Sequence, residues 1–213
     1  MRFWPVTLVA AGVFLAAGTG SAVIVLVQSN NATSPNNSAT SLSSTFTSTP
    51  TVGNLLVAIA SAGSASTNSY TINAPSGWST AINQTGSTAA APSQAIFYKV
   101  AGALEPTTVT FTITGGTASL GLQIFEYSGL AATAPLDGTS SGFSNAVSQT
   151  SGNTGTPLTT ATNDLLVAGI TIGNTETNVT ETNSFTERFD FNAGGGVTDH
   201  FTSADRRPTS RKR

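Results

Sequence analysis

The chain has no cysteine and a single histidine among its 213 residues. Without cysteine it can form no disulfide framework, and it has no thiolate to serve as a nucleophile or a metal ligand. Its stability must therefore come from the burial of apolar side chains and from hydrogen bonds.

Charge is equally scarce. Charged residues make up 8% of the chain, whereas about 25% is usual in soluble domains. The formal net charge is −2, and five of the eight basic residues lie in the last eight positions. This composition gives no electrostatic reason to expect a nucleic-acid partner. Hydroxyl and amide side chains take the place of charges in the polar part of the sequence.

The N-terminus has the pattern of an export signal. One Arg precedes an uncharged apolar run over residues 3–17, and small residues then lead to Ala22. We therefore predict a signal peptide over residues 1–22 and a protein that is secreted or displayed on the cell surface. The alternative is an uncleaved membrane anchor, because residues 3–27 carry no charge and are long enough to cross a bilayer.

The rest of the chain consists of short apolar or alternating runs separated by Gly, Pro, Asn and Ser, which is typical of an all-β fold. In TVTFTIT, the apolar Val109, Phe111 and Ile113 alternate with threonines, as in a strand with one buried face. LLVAI and LLVAGI lack this alternation and are predicted to be central core strands. We predict a two-sheet antiparallel β-sandwich of jelly-roll or immunoglobulin-like kind over residues 23–205.

The phrase LLVA occurs twice, at residues 55–58 and 165–168. Aligning the two copies also places Trp78 against Phe185, so the sandwich is predicted to be internally duplicated. By the pattern of the first copy, the second copy lacks about two closing strands. Either the reading frame is damaged there, or the sandwich is open and a strand from elsewhere fills it. Residues 206–213 are predicted to form a disordered basic tail.

A family resemblance covers roughly residues 23–206. The segments that carry it are NLLVA, PSGW, IFYKVAGALEPTTVTFTIT, IFEYSGLAATAPLD, NDLLVA, SFTER and SADR. Together they resemble a family of poorly characterised bacterial secreted and cell-surface β-sandwich domains. The resemblance implies the fold and an extracellular location, and it brings no catalytic residues. Relatives follow the ADR motif with a turn and two more strands, and this chain departs from that pattern after Arg206.

Two aromatic residues are candidates for carbohydrate binding, because sugar rings stack on flat aromatic side chains. They are Tyr70 and Trp78. The alternative for both is packing in the core. Tyr70 lies in an Asn-Ser-Tyr-Thr stretch and is predicted to be the more exposed of the two.

Glu126 is an acid inside a predicted strand, in phase with apolar neighbours, and is expected to be partly buried. A buried carboxylate needs a partner. Lys99 or Arg188 would supply one, which makes a structural ion pair the preferred interpretation over a catalytic acid.

Calcium is the one cofactor that the sequence suggests. Asp190, Asn192 and Asp199 bracket three consecutive glycines, and Ca²⁺ prefers carboxylate and amide oxygens. Their spacing matches no known calcium loop. His200, the single histidine, is predicted to lie exposed in a loop or at a strand end, and we predict no catalytic residue.

Four asparagines begin Asn-x-Ser/Thr sequons and are candidate glycosylation sites. They are Asn31, Asn36, Asn83 and Asn178.

Two functions follow from these patterns. The first is a non-enzymatic binding or adhesion module that recognises a surface polysaccharide or a protein partner through loops at one end of the sandwich. The second is a self-assembling extracellular filament subunit. After signal cleavage, residues 23–30 (VIVLVQSN) would be a free apolar strand that could add to the sheet of a neighbouring copy.

Overall fold

A computed structural model describes residues 7–16, 23–63, 70–86, 92–144, 164–173, 184–193 and 199–206. Within these ranges the chain forms thirteen β-strands and no helix, which confirms the predicted all-β class. The strands are β1 (Thr7–Leu15), β2 (Val25–Ala39), β3 (Ser41–Thr45), β4 (Leu55–Ala62), β5 (Thr71–Asn73), β6 (Ser79–Gln84), β7 (Ser93–Val100), β8 (Thr108–Thr114), β9 (Ala118–Ser128), β10 (Leu136–Ser144), β11 (Leu165–Gly173), β12 (Thr186–Ala193) and β13 (Asp199–Arg206).

Antiparallel pairing joins these strands into three sheets, where the sequence predicts two. The central sheet has the order β2-β9-β4-β7-β6, the outer sheet β10-β1-β11-β13-β12, and the small sheet β3-β8-β5. Side chains of the central and small sheets form one apolar cluster. Side chains of the central and outer sheets form a second cluster. The central sheet is therefore covered on both faces.

This layering explains why LLVAI lacks alternation. Every residue of β4 is buried. Leu56 and Ala58 pack toward the small sheet, while Leu55, Val57 and Ile59 pack toward the outer sheet. Because successive side chains of a strand point to opposite faces, a strand between two other sheets needs an unbroken apolar run.

The second LLVA segment has a different environment. In β11, the buried Leu165 and Val167 alternate with the half-buried Leu166 and Ala168. Leu165 and Val167 join the same cluster as the facing residues of β4, so the two LLVA segments face each other. LLVAGI is therefore buried on one face, unlike the predicted central core strand, because the sheet that contains it lies at the outside of the stack.

The central and outer sheets have corresponding strand orders. β4 pairs with β7 and β9, and β11 pairs with β13 and β1. The edge strands β6 and β12 correspond as well, and they directly follow Trp78 and Phe185 respectively. β1 therefore corresponds to β9: β1 lies next to β11 in the outer sheet as β9 lies next to β4 in the central sheet. The internal duplication itself remains a prediction.

Strands extend beyond both ends of the predicted domain, residues 23–205. β1 lies inside the predicted signal peptide, residues 1–22, and the signal peptide remains a prediction. Within the described ranges no helix has the length and hydropathy needed to cross a bilayer. At the other end, β13 includes Arg206, the first residue of the predicted tail. Residues 207–213 lie outside the described residues.

The segment VIVLVQSN has a partner within its own chain. Val25 lies opposite Ser128, and Gln28 lies opposite Glu126, so the first part of β2 is an edge strand beside β9. Residues 23–30 are therefore not the free strand that the filament hypothesis requires. The buried strand β9 has backbone N–H and C=O groups along both edges that need hydrogen-bond partners. β4 pairs with one edge, and β2 pairs with the other.

Candidate binding surface

The exposed face of the small sheet is built from hydroxyl side chains. In β8, Val109, Phe111 and Ile113 are buried and the threonines between them are exposed, which confirms the predicted alternation. Because β3 and β5 flank β8, their outward side chains extend this row on both sides. The members of this hydroxyl face are Ser41, Ser43, Thr45, Thr71, Asn73, Thr108, Thr110, Thr112 and Thr114. None of them carries a charge.

Cross-strand hydrogen bonds order the hydroxyl face. The hydroxyls of Ser43 and Thr110 share a bond of 2.7 Å, and those of Thr45 and Thr108 share one of 3.1 Å. On the other side of β8, the Asn73 amide donates to the hydroxyl of its paired threonine at 3.2 Å. Neighbouring strands lie roughly 4.8 Å apart and alternate residues of one strand about 6.8 Å apart, so the face is a regular grid.

This grid can donate and accept hydrogen bonds at once. Each hydroxyl has one donor and two acceptor lone pairs, so one cross-strand bond leaves hydrogen-bonding capacity free. The threonine methyl groups add small apolar patches between the hydroxyls. Since β-branched side chains have few χ1 rotamers, little side-chain entropy is lost when a ligand binds.

Tyr70 is not part of this surface. Its side chain is 0% exposed, contrary to the predicted exposure, and its hydroxyl donates to the carbonyl oxygen of Thr117 at 2.8 Å. Burial raises the pKa of the Tyr70 phenol, and the negative charge of Asp199 raises it further. The ring fills the core beneath the small sheet and cannot stack on a sugar in solution.

Trp78 is half-buried and packs against the same core cluster. Its amide donates to the carbonyl oxygen of Pro75 at 3.1 Å, which closes a turn. Gly77 adopts a φ of 79° in this turn, a left-handed conformation that glycine allows without strain. Trp78 directly precedes β6 and packs on the core, which agrees with the alternative that it is a core residue.

Glu126 pairs with neither of the cations that the sequence suggests. The carboxylate is fully buried and accepts from the Gln28 amide at 2.5 Å, the Asn54 amide at 2.6 Å and the Thr51 backbone N–H at 2.8 Å. Burial by itself raises the pKa of Glu126, but these hydrogen bonds outweigh it and hold the pKa below its usual value. Neutral donors thus replace the predicted ion pair.

Lys99 and Arg188 instead pair with other acids. Lys99 contacts Glu105 at 2.7 Å, six residues along the chain. Arg188 contacts Asp205 at 2.7 Å, and the Tyr127 hydroxyl donates to the same carboxylate at 2.7 Å. Burial lowers the pKa of Arg188, but Asp205 outweighs this effect and raises it. Both pairs are structural, and the sequence has no pattern that identifies these partners.

The three candidate calcium ligands do not converge. Asp190 and Asn192 lie on one face of the outer sheet, where Asp190 contacts the His200 imidazole. Asp199 is buried on the opposite face and approaches Gly63 of the central sheet. Within the described residues, no group of three or more His, Cys, Asp or Glu side chains could hold a metal ion.

His200 is buried in β13, contrary to the exposed position predicted for it. It lies opposite Asn192 of β12 and Ile172 of β11. Because paired residues of neighbouring strands project from the same face of a sheet, the His200 imidazole shares a face of the outer sheet with Asn192 and Asp190. Its contact with Asp190 makes it part of the structure of the outer sheet.

GTSSG, residues 138–142, matches the Gly-x-Ser-x-Gly pattern of a nucleophile elbow. Such an elbow is a sharp turn between a strand and a helix. Here the motif lies within the extended β10, where Ser140 pairs with Gly12. The backbone does not present this serine as an elbow would.

The sequons have different environments. Asn31 and Asn36 are exposed on β2. Asn83 is also exposed, but its amide donates to the carbonyl oxygen of Ile72 at 2.7 Å, which ties it to the small sheet. Asn178 lies outside the described residues.

No family model, curated protein or solved structure matches this chain. The family resemblance therefore stays a prediction, and the function has to be inferred from the sequence and the geometry of the chain.

Proposed function

We propose that this protein is a non-enzymatic binding or adhesion module that acts outside the cell, and that the hydroxyl face binds a neutral polysaccharide. The observation that carries the proposal is the uncharged grid of hydroxyl groups on the small sheet. The predicted signal peptide supports the extracellular location.

The chemistry of the grid favours a ligand that is itself rich in hydroxyl groups. Each hydrogen bond to a ligand contributes only about 0.5–1.5 kcal/mol net, so useful affinity requires many of them at once. A polysaccharide surface repeats its hydroxyls at regular intervals and can engage several rows of the grid together. An anionic ligand would find no opposite charge on this face.

The location of the site differs from the loops that the sequence suggests. The hydroxyl face is part of a sheet that packs on the central sheet through Val109, Phe111 and Ile113. A rigid, flat element of this kind suits an extended ligand, because the contacts are already aligned before binding.

The test is depletion of the protein from solution by insoluble glycans. We expect binding to at least one neutral material among cellulose, chitin and mannan, and no binding to anionic pectate or heparin resin. Because the face carries no charge, the affinity should change less than about twofold between roughly 50 and 500 mM salt. Binding to the anionic resins alone, or loss of binding at high salt, would contradict the proposal.

A further inference from the structure

The exposed apolar side chains are concentrated at one end of the central sheet. At this end β2 and β4 begin and β7 and β9 end, because Val25 pairs with Ser128 and Leu55 pairs with Val100. Of the large apolar residues whose exposure the structure describes, the exposed ones all lie toward this end. These residues, the apolar end, are Val23, Val25, Val27, Val52 and Leu104. Single exposed apolar residues are ordinary, but a group of them indicates an interaction surface.

Leu104 is held in water by the turn that follows β7. It is 95% exposed, and its φ of 59° lies in the left-handed region, which a bulky residue adopts only against strain. Glu105 fixes this turn, because its carboxylate accepts from the Gly102 backbone N–H at 3.0 Å and from the Lys99 ammonium at 2.7 Å. An exposed apolar side chain on a strained and anchored backbone indicates a functional role for that side chain.

Val52 lies in a second anchored turn, just before β4. Gly53 follows it with a φ of 86°, as at the third position of a type II turn. The Thr51 backbone N–H donates to the buried Glu126 carboxylate at 2.8 Å, which fixes the turn to β9. The Gly53 N–H donates to the carbonyl oxygen of Ala101 at 2.9 Å, so this turn is joined to the segment that leads to Leu104. Both apolar tips are thus ordered before a ligand binds, which lowers the entropy cost of binding.

The size, shape and charge of the apolar end suit a lipid surface better than a protein partner. A specific protein interface uses about 20–30 residues a side, far more than these five. The most exposed members stand on turns and at a strand start, and a fluid lipid layer accepts such protruding side chains without a complementary groove. Lys99 and Glu105 neutralise each other next to Leu104, so no net charge from this pair opposes entry into an apolar layer.

From these observations we propose that the apolar end is a membrane-docking site, which inserts Leu104 and Val52 into the interfacial layer of a lipid bilayer. The driving force is the transfer of these side chains out of water. The proposal does not depend on glycan binding, because the hydroxyl face is the broad outer face of the small sheet, whereas the docking site lies at the ends of central strands.

The first experiment measures flotation of the full chain with phosphatidylcholine vesicles. Leu104→Asn removes the apolar side chain, and asparagine tolerates a left-handed φ, so the variant should fold like wild type. Leu104→Met is the matched control, because it keeps a flexible apolar side chain at the same position. We expect Leu104→Asn to lower the vesicle partition coefficient about tenfold or more and Leu104→Met to bind like wild type. Neither variant should change the depletion by glycans.

A second experiment locates the inserted residues. Because the chain has no cysteine, Leu104→Cys and Thr110→Cys each create a single attachment point for an environment-sensitive fluorophore. Vesicles should raise the emission of the label at position 104 and leave the label at position 110, on the hydroxyl face, unchanged.

Several results would overturn the proposal. They are the absence of wild-type flotation, equal flotation of the Leu104→Asn and Leu104→Met variants, and an equal response of the two labels. Flotation only with vesicles that contain phosphatidylglycerol, lost at high salt, would assign the binding to basic residues instead. A dimer that Leu104→Asn dissociates, without flotation of the wild type, would assign the apolar end to contact with a second copy.

Discussion

Glu126→Ala is expected to lower the free energy of unfolding by about 3 kcal/mol, because it removes the acceptor of three hydrogen bonds from a buried site. The donors lie on Gln28, Thr51 and Asn54, so the carboxylate ties β2 and the turn before β4 to β9. The alanine leaves these polar groups partly desolvated without an acceptor. Urea denaturation followed by circular dichroism measures the loss.

Glu105→Ala is the matched control, since Glu105 is a second buried acid whose partners, Lys99 and the Gly102 backbone N–H, are close in sequence. We expect it to cost well under half as much as Glu126→Ala, because its Lys99 partner is partly exposed and can be hydrated. Equal losses for the two variants would show that the hydrogen bonds of Glu126 have no special role.

The same carboxylate sets a pH dependence with a definite sign. The pKa of Glu126 is lower in the folded chain than the usual unfolded value of about 4.3, so its contribution is fully present above that value. It is lost as the pH falls through the lower, folded pKa. The stability difference between wild type and Glu126→Gln should therefore shrink between about pH 6 and pH 3. A difference that stays constant over this interval would be inconsistent with the lowered pKa.

Gly121→Ala is the second substitution with a large expected effect. A Cβ at position 121 would lie 2.6 Å from Cδ2 of Phe201, a fully buried ring of the outer sheet. Neither partner can move freely, because β9 is paired on both edges and the ring is enclosed between sheets. We expect a loss of about 2 kcal/mol from overpacking. Gly12→Ala is the control, since its added Cβ would lie 3.7 Å from the nearest atom, an ordinary contact.

A double-mutant cycle tests whether the contact between Gly121 and Phe201 causes this loss. Phe201→Leu shortens the ring side chain and should relieve the crowding, so Gly121→Ala should cost at least about 1 kcal/mol less in that background. Additive losses would mean that the crowding at Gly121 has another source.

Much of the layering could be predicted from sequence, because burial imposes a period on a strand. The alternation of Val109, Phe111 and Ile113 with threonines identified β8 as a strand with one buried face. The unbroken LLVAI run identified β4 as a central strand, although it did not reveal that a third sheet covers the second face. The similar run LLVAGI in β11 is buried on one face only, so the prediction of a central strand is wrong there: a short apolar stretch does not distinguish two covered faces from one.

The side-chain partners could not be predicted, because they depend on which strands become neighbours. Glu126, Lys99 and Arg188 are all in polar contacts, but none of them contacts another of the three. The position of β1 between β10 and β11 could not be predicted from sequence either. An apolar segment near the N-terminus has the same composition whether it is an export signal or a buried strand.

The sequence contains a pattern that points to the hydroxyl face: two segments carry hydroxyl residues at every second position. The segment SLSST, residues 41–45, has hydroxyls at every second position, Ser41, Ser43 and Thr45, and all three are exposed, whereas the hydroxyl residue between the last two, Ser44, is buried. Two segments with hydroxyls in alternation can form one surface if they pair in register. The pairing, Ser43 opposite Thr110 and Thr45 opposite Thr108, is what the sequence alone does not specify.

The most direct test of the hydroxyl face compares two lysine substitutions in the depletion experiment. Thr110→Lys places a long charged side chain in the middle of the grid, whereas Thr139→Lys changes an exposed threonine of β10 in the outer sheet. Both variants gain the same charge and should remain folded. We predict that Thr110→Lys weakens binding to the neutral polysaccharide by about tenfold or more, equivalent to about 1.4 kcal/mol, and that Thr139→Lys binds like wild type. Equal binding by the two variants would contradict the assignment of the hydroxyl face as the binding surface.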